Sequence, residues 1–226
     1  MVRAEAALGT CDTQAQLRNI HAQQDIAQWF MDSFRTIKDI AEGTYSERRS
    51  KFLAFAIPVE TEEEVKEHVA AYQKQYYDAR HACYAYMLGA DRTRFRANDN
   101  GEPSGTAGKP ILGQINSNEL TNILIVVVRY FGGVKLGTSG LIVAYRQAAA
   151  EAIANATIIE KTIDEDISIS FEFTQMNSVM KIVKDLNPQI VSQGYDSDCT
   201  MTLRIRQSLM PQLRDRLSKV LNLTIL

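Results

Sequence analysis

The chain has 226 residues, 45% of them hydrophobic, and a formal net charge of -2. That hydrophobic content supports a real core and excludes disorder, while the near-neutral balance leaves any anion site to local clustering of charge. No apolar run approaches the roughly 18 residues of a membrane span, and Cys11, Cys83 and Cys199 are too scattered for a CxxC, a metal site or a disulfide framework, which fits a reducing cytoplasm.

Residues 1–33 read as an N-terminal extension that is not native to the rest. "MVRAEAALGT" has no apolar core of a signal peptide, the following stretch is polar with a weak helical stripe, and the composition changes at Met31. Deleting residues 1–30 is expected to leave the melting temperature nearly unchanged. Phe34 to Ile40 alternates loosely, as a strand does. In "SERRSKFLAFAIPV", Phe52, Ala54 and Ala56 face one way and Leu53, Phe55 and Ile57 the other, predicting a strand buried on both sides.

"TEEEVKEHVAAYQKQY" opens on a capping box from Thr61 to Glu64, and Val65, Val69, Tyr72 and Tyr76 recur at helical spacing. "ACYAYMLG" and "RTRFRAND" predict a hairpin. His81 and Cys83 would share one strand face, so a Cys–His pair is weighed there against a packed cysteine, the commoner case. The turn-rich "NDNGEPSGTAGKP" combines Ser104, Thr106 and Lys109 with glycines at 101, 105 and 108. It is not a nucleotide-binding P-loop, because Pro110 follows Lys109 where a Ser or Thr is required. Asp99 and Glu102 could hold a metal with oxygen ligands, against the commoner use of such residues in turns, and no metal is assigned. A short helix is expected from Lys109 to Ile115.

"NILIVVVRY" is the strongest strand, and Thr138 to Ala156 the strongest helix. Between them lie Arg129, Gly132, Gly133, Lys135, Gly137, Thr138 and Ser139. A buried strand, a glycine turn and a helix start have the layout of an anion site, since first-turn N–H groups lack intrahelical partners. The competing account is a tight turn with Thr138 or Ser139 capping the helix. On the residues of this stretch alone the two accounts stand level.

After Asn155 the pattern resets into β-α-β-β-α-β order, that of a ferredoxin-like sandwich. Residues 159–198 are rich in acidic side chains and 199–226 in basic ones. Arg204 and Arg206 alternate with Leu203 and Ile205, so both are expected on a solvated strand face. That face is a secondary phosphate-contact candidate, although no stacking aromatics interleave with the arginines.

"NDNGEPSGTAGKPIL", "VVVRYFGGVKLGTSGLIVAY" and "DARHACYAYMLG" together resemble the IMPACT/YigZ family, from about Tyr45 to residue 156, with the remainder similar to the shorter C-terminal domain of bacterial members. The element order reads as two α+β domains with a boundary near residue 160, and the resemblance implies which α+β folds the chain carries. These are a domain of the ribosomal protein S5 domain 2 type at 34–158 and a ferredoxin-like domain, similar to the last domain of elongation factor G, at 159–226. Both folds recur in RNA- and ribosome-binding proteins, and eukaryotic relatives act in translational control through an additional N-terminal domain for which the stretch before Tyr45 is too short. Where the family commonly has DDGEPSGTAG and LGxGGL, this sequence has Asn98-Asp99-Asn100 and Ser139. The expectation is therefore a cytoplasmic regulator of translation, not an enzyme and without a cofactor, contacting RNA, the ribosome or a protein of the translation machinery. Arg129, Lys135, Lys109, Gly132, Gly133, Gly137, Thr138, Ser139, Ser104 and Thr106 would form the anion site, with Glu102, Arg204 and Arg206 secondary. The alternatives are an enzyme acting on a phosphorylated small molecule or peptide, because small-molecule kinases of related fold carry a Gly/Ser-rich loop like "LGTSG", and a protein-interaction module.

Overall fold

The computed structural model describes residues 32–195 and 198–226, so the expectation for residues 1–30 and the position of Cys11 lie outside the described residues. The chain divides into two compact units, one of Phe34–Lys161 and one of Thr162–Leu226 joined by Asp32 and Ser33. No helix among the described residues is long and apolar enough to cross a membrane.

In the first unit the elements run β1 (Ser33–Ile37), β2 (Ala41–Glu47), β3 (Ser50–Pro58), α1 (Glu62–Gln75), β4 (His81–Leu88), β5 (Arg94–Asn98), α2 (Gly108–Ser117), β6 (Ile123–Tyr130), α3 (Gly137–Ala154) and β7 (Ile158–Thr162). Five strands form an antiparallel sheet in the order β2-β3-β6-β4-β5, while β1 pairs with β7. The alternation of β3 and β6 divides the core into two layers. Phe52, Ala54, Ile123, Ile125 and Val127 pack with Ile111 and Ile115 of α2 and with Leu141, Ala144 and Ala148 of α3. Phe55, Ile57, Leu124, Val126 and Val128 pack with Val65 and Val69 of α1 on the opposite face.

The capping box forms as expected at Thr61, whose hydroxyl accepts from the Glu64 N–H at 3.2 Å. Glu64 reaches back to the Glu60 N–H at 2.8 Å. The hairpin joining β2 to β3 was not expected. Its turn is Arg48-Arg49, with φ of 45° and 67°, a conformation usually signalled by Asn or Gly rather than by two arginines. Strand β7 was likewise not expected, and α2 runs longer at both ends than Lys109 to Ile115.

The second unit carries β8 (Asp164–Phe171), α4 (Met176–Leu186), β9 (Gln189–Tyr195), β10 (Cys199–Arg206), α5 (Met210–Leu217) and β11 (Leu223–Ile225), the expected β-α-β-β-α-β order. Its sheet order is β11-β8-β10-β9, and its separate core joins Ile167, Ile169, Phe171, Leu203 and Ile205 with Val179 and Leu213. The arginines of β10 are held by carboxylates. Arg204 makes a two-pronged pair with Asp166 at 2.7 and 2.8 Å, and Arg206, half-buried rather than solvated, pairs with Asp32 at 2.6 Å.

Candidate functional site

The site begins with strand register. Arg129, near the end of β6, lies opposite Phe52 of β3 on one side and His81 of β4 on the other. The loop after β5 brings Glu102 over this sheet end. The Arg129 guanidinium donates from Nη1 to Glu102 Oε1 at 2.6 Å, in a pair with 8% and 3% side-chain exposure. Tyr145 of α3 donates to the same oxygen at 3.0 Å. His81 completes the cluster, with Nδ1 2.8 Å from the Asn100 carbonyl and Nε2 4.0 Å from Glu102 Oε1. A carbonyl only accepts, so Nδ1 carries the proton of that hydrogen bond.

Cys83 lies behind this cluster, fully buried, with Sγ 2.9 Å from the Asp99 carbonyl and 3.3 Å from Tyr145 Oη. Burial pushes its thiol up to about 12, with the Glu102 and Asp99 charges adding to the effect, so no thiolate is available as a nucleophile. Burial also raises the Tyr145 phenol, which stays a neutral donor. The packed-cysteine reading therefore holds over a reactive Cys–His pair.

Above the cluster a cleft of about 380 Å³ opens. Its lining joins Glu102 and Pro103 of the first glycine loop to Arg129, Phe131, Lys135, Leu136, Gly137 and Thr138 of the second, with Arg80, His81 and Leu141. The two loops thus meet in one cleft, where three cationic side chains face one carboxylate. Arg80 and Lys135 are exposed and have no acidic partner among the described residues. Neither Thr138 nor Ser139 caps α3. The cap position is Leu136, which gives no side-chain hydrogen bond, and Gly137 begins the helix at φ +74°. The first turn of this 18-residue helix thus has no side-chain cap from its cap residue, and two of its residues, Gly137 and Thr138, line the cleft.

The first glycine loop behaves differently. The Asp99 carboxylate accepts from the N–H groups of Gly105, Ala107 and Gly108 at 2.8, 3.0 and 2.8 Å, so the amino end of α2 already holds an internal anion. Burial alone would raise the Asp99 carboxyl, but these donors and the Lys109 charge hold it below its ordinary value. Thr106 donates to the Pro103 carbonyl at 2.7 Å and closes the turn. Ser104, Thr106 and Lys109 are absent from the cleft lining, and Ser139 lines a separate hollow with Glu47, Arg48 and Val143. Gly132 serves backbone packing, since a Cβ there would lie 2.0 Å from the Arg49 backbone, and Gly133 sits exposed beside it at φ +85°. Of the expected anion-site residues, the cleft gathers Arg129, Lys135, Gly137 and Thr138, together with Glu102. Arg80, Phe131 and Leu136 lie within the quoted motifs "DARHACYAYMLG" and "VVVRYFGGVKLGTSGLIVAY" but were not picked out, because an isolated Arg and two apolar residues carry no site signal until the folded loops bring them alongside.

The Impact N-terminal domain family matches residues 48–153. The IMPACT family member YvyE of Bacillus subtilis (strain 168) is 35% identical over 149 residues, which cover 66% of this chain and 69% of that protein. The IMPACT family member YigZ of Escherichia coli (strain K12) is 32% identical over 152 residues, covering 66% and 74%. Among solved structures, the crystal structure of a hypothetical protein matches with a TM-score of 0.67 and 27% identity, over 86% of this chain and 97% of that one.

Proposed function

From the chain's place in the IMPACT family, to which it belongs, we propose a cytoplasmic, translation-associated regulator that grips a phosphate of single-stranded RNA in the cleft at the start of α3. The observation that carries this reading is the uncapped amino end of α3 opening beside Lys135 and Arg80, two cations without acidic partners among the described residues. Open first-turn N–H groups and adjacent cations are the elements from which proteins build phosphate sites. Arg129 takes a lesser part than expected. Its Nη1 is engaged by Glu102, so it offsets the buried carboxylate beneath the site.

The test is RNA binding over a salt series. Arg80→Ala and Lys135→Ala are each expected to weaken single-stranded RNA binding uniformly across sequences. Each should also flatten the dependence of log K on log salt by roughly 0.7 per lost phosphate contact. Both side chains are exposed, so folding should persist, checked by an unchanged melting temperature. A folded double variant that binds RNA with unaltered affinity and salt slope overturns the reading.

A further inference from the structure

The reading of the cleft as a phosphate site leaves its apolar lining without a use. Phosphate engages cations and N–H groups, whereas Pro103, Phe131, Leu136 and Leu141 also line the cleft. Phe131 is a large aromatic 44% exposed at the rim, and the Arg129 Cζ lies 5.6 Å from its ring centroid. An exposed ring backed by a guanidinium, beside a phosphate site, is the combination that receives a nucleobase, because every base presents a π face and the cation strengthens the stack.

Arg129 adds a second indication. It is 7% exposed in the cleft wall, and its Nε–H has no hydrogen-bond acceptor among the described residues. Such a donor is costly in a native fold, and here the guanidinium lies instead over both the Phe52 and the Phe131 rings, 5.6 Å from each centroid, so the cation is held against the aromatic that the cleft exposes. The cleft volume, about 380 Å³, lies at the lower end of the range for small-ligand sites.

Resting on the proposed phosphate site, we infer that the cleft receives a single nucleotide. Its phosphate lies at the amino end of α3 beside Lys135, and its base lies on Phe131. The shared chemistry is one phosphate plus one flat base, supplied by an unpaired RNA residue or by a free nucleotide.

Calorimetric titration of the full chain with adenosine 5′-monophosphate, inorganic phosphate and a short single-stranded RNA tests this. The proteins compared are the unaltered chain, Phe131→Leu and Lys135→Ala. Phe131→Leu keeps apolar bulk and removes the ring. It is expected to weaken both the mononucleotide and the RNA by about 5- to 100-fold, as loss of one base stack does, and to leave inorganic phosphate unaffected. Lys135→Ala is expected to weaken all three. Unchanged mononucleotide and RNA affinities in a folded Phe131→Leu protein overturn the one-nucleotide inference, and if RNA still depends on Lys135 the phosphate-site reading survives it. Phe131-dependent binding of the mononucleotide with no RNA binding sustains the nucleotide site, assigns it to a free nucleotide and overturns the RNA reading. No binding of any probe overturns both.

Discussion

At Glu102 a carboxylate with 3% side-chain exposure accepts from Arg129 and Tyr145 on the same oxygen. Removing one member of such a buried pair strands the other charge away from water, which costs about 3–5 kcal/mol. Glu102→Ala is therefore expected to destabilise the chain by that amount. Glu102→Leu combined with Arg129→Met should cost much less than the sum of the single changes, since the stranded charge is gone. Urea unfolding of the unaltered chain, Glu102→Ala, Glu102→Leu, Arg129→Met and the double variant checks both expectations, and additive losses in the last three would refute the coupling. The cluster also shows what residue types alone could convey. Glu102 and Arg129 could each be picked out as polar residues next to glycine turns. Their pairing could not, because it depends on a loop 27 positions away in sequence folding over the end of β6. His81 was visible as a strand neighbour of Cys83, yet its hydrogen bond to the Asn100 carbonyl, 19 positions away, arises only once that loop is in place.

The two helix starts of the first unit contrast as elements. Both α2 and α3 lack a side-chain cap from their own cap residues, Ala107 and Leu136. At α2 the gap is filled by Asp99, whose carboxylate takes three N–H groups, while at α3 the first turn opens on the cleft. The broad apolar face of "LIVAYRQAAAEAI" located α3, and α2 was expected in shorter form from Lys109 to Ile115. Periodicity could not tell a filled helix start from an open one, because the filling group comes from a different element. Asp99→Asn tests the difference. The amide loses one acceptor and turns a donor towards an N–H, for an expected loss of roughly 1–3 kcal/mol at neutral pH. The sign with pH follows from the depressed carboxyl. The stabilisation is fully present above the ordinary aspartate value of 3.8 and is lost as pH falls through the lower folded value. The stability curves of the two proteins, from urea unfolding at a series of pH values, should therefore converge as the solution is acidified below that range. A gap that stays constant would show that Asp99 acts by shape and not by charge.

For the whole molecule, the alternation of hydrophobic residues was enough to read the α+β character and the β-α-β-β-α-β order of the second unit, because those patterns are local. The β2–β3 turn escaped because Arg48 and Arg49 adopt positive φ without a glycine, and β7 because a short half-exposed strand carries little alternation. The same strand shapes how the chain is divided. β7 pairs with β1, so the chain enters and leaves the first unit through neighbouring strands, and the hydrophobic clusters on the two faces of its sheet contain no residue of the second unit. A fragment spanning 34–161 keeps the β1–β7 pairing, both core layers and every cleft residue. It is expected to unfold in one cooperative transition and to bind single-stranded RNA with an affinity and Lys135 dependence close to those of the full chain. Chemical denaturation followed by circular dichroism checks the folding, and titration checks the binding. A fragment that folds cooperatively but loses the Lys135-dependent affinity would place essential RNA contacts in the second unit. That result would be at odds with the state of β10, where Arg204 and Arg206 are already matched by Asp166 and Asp32 and an RNA phosphate would have to displace a carboxylate to reach them.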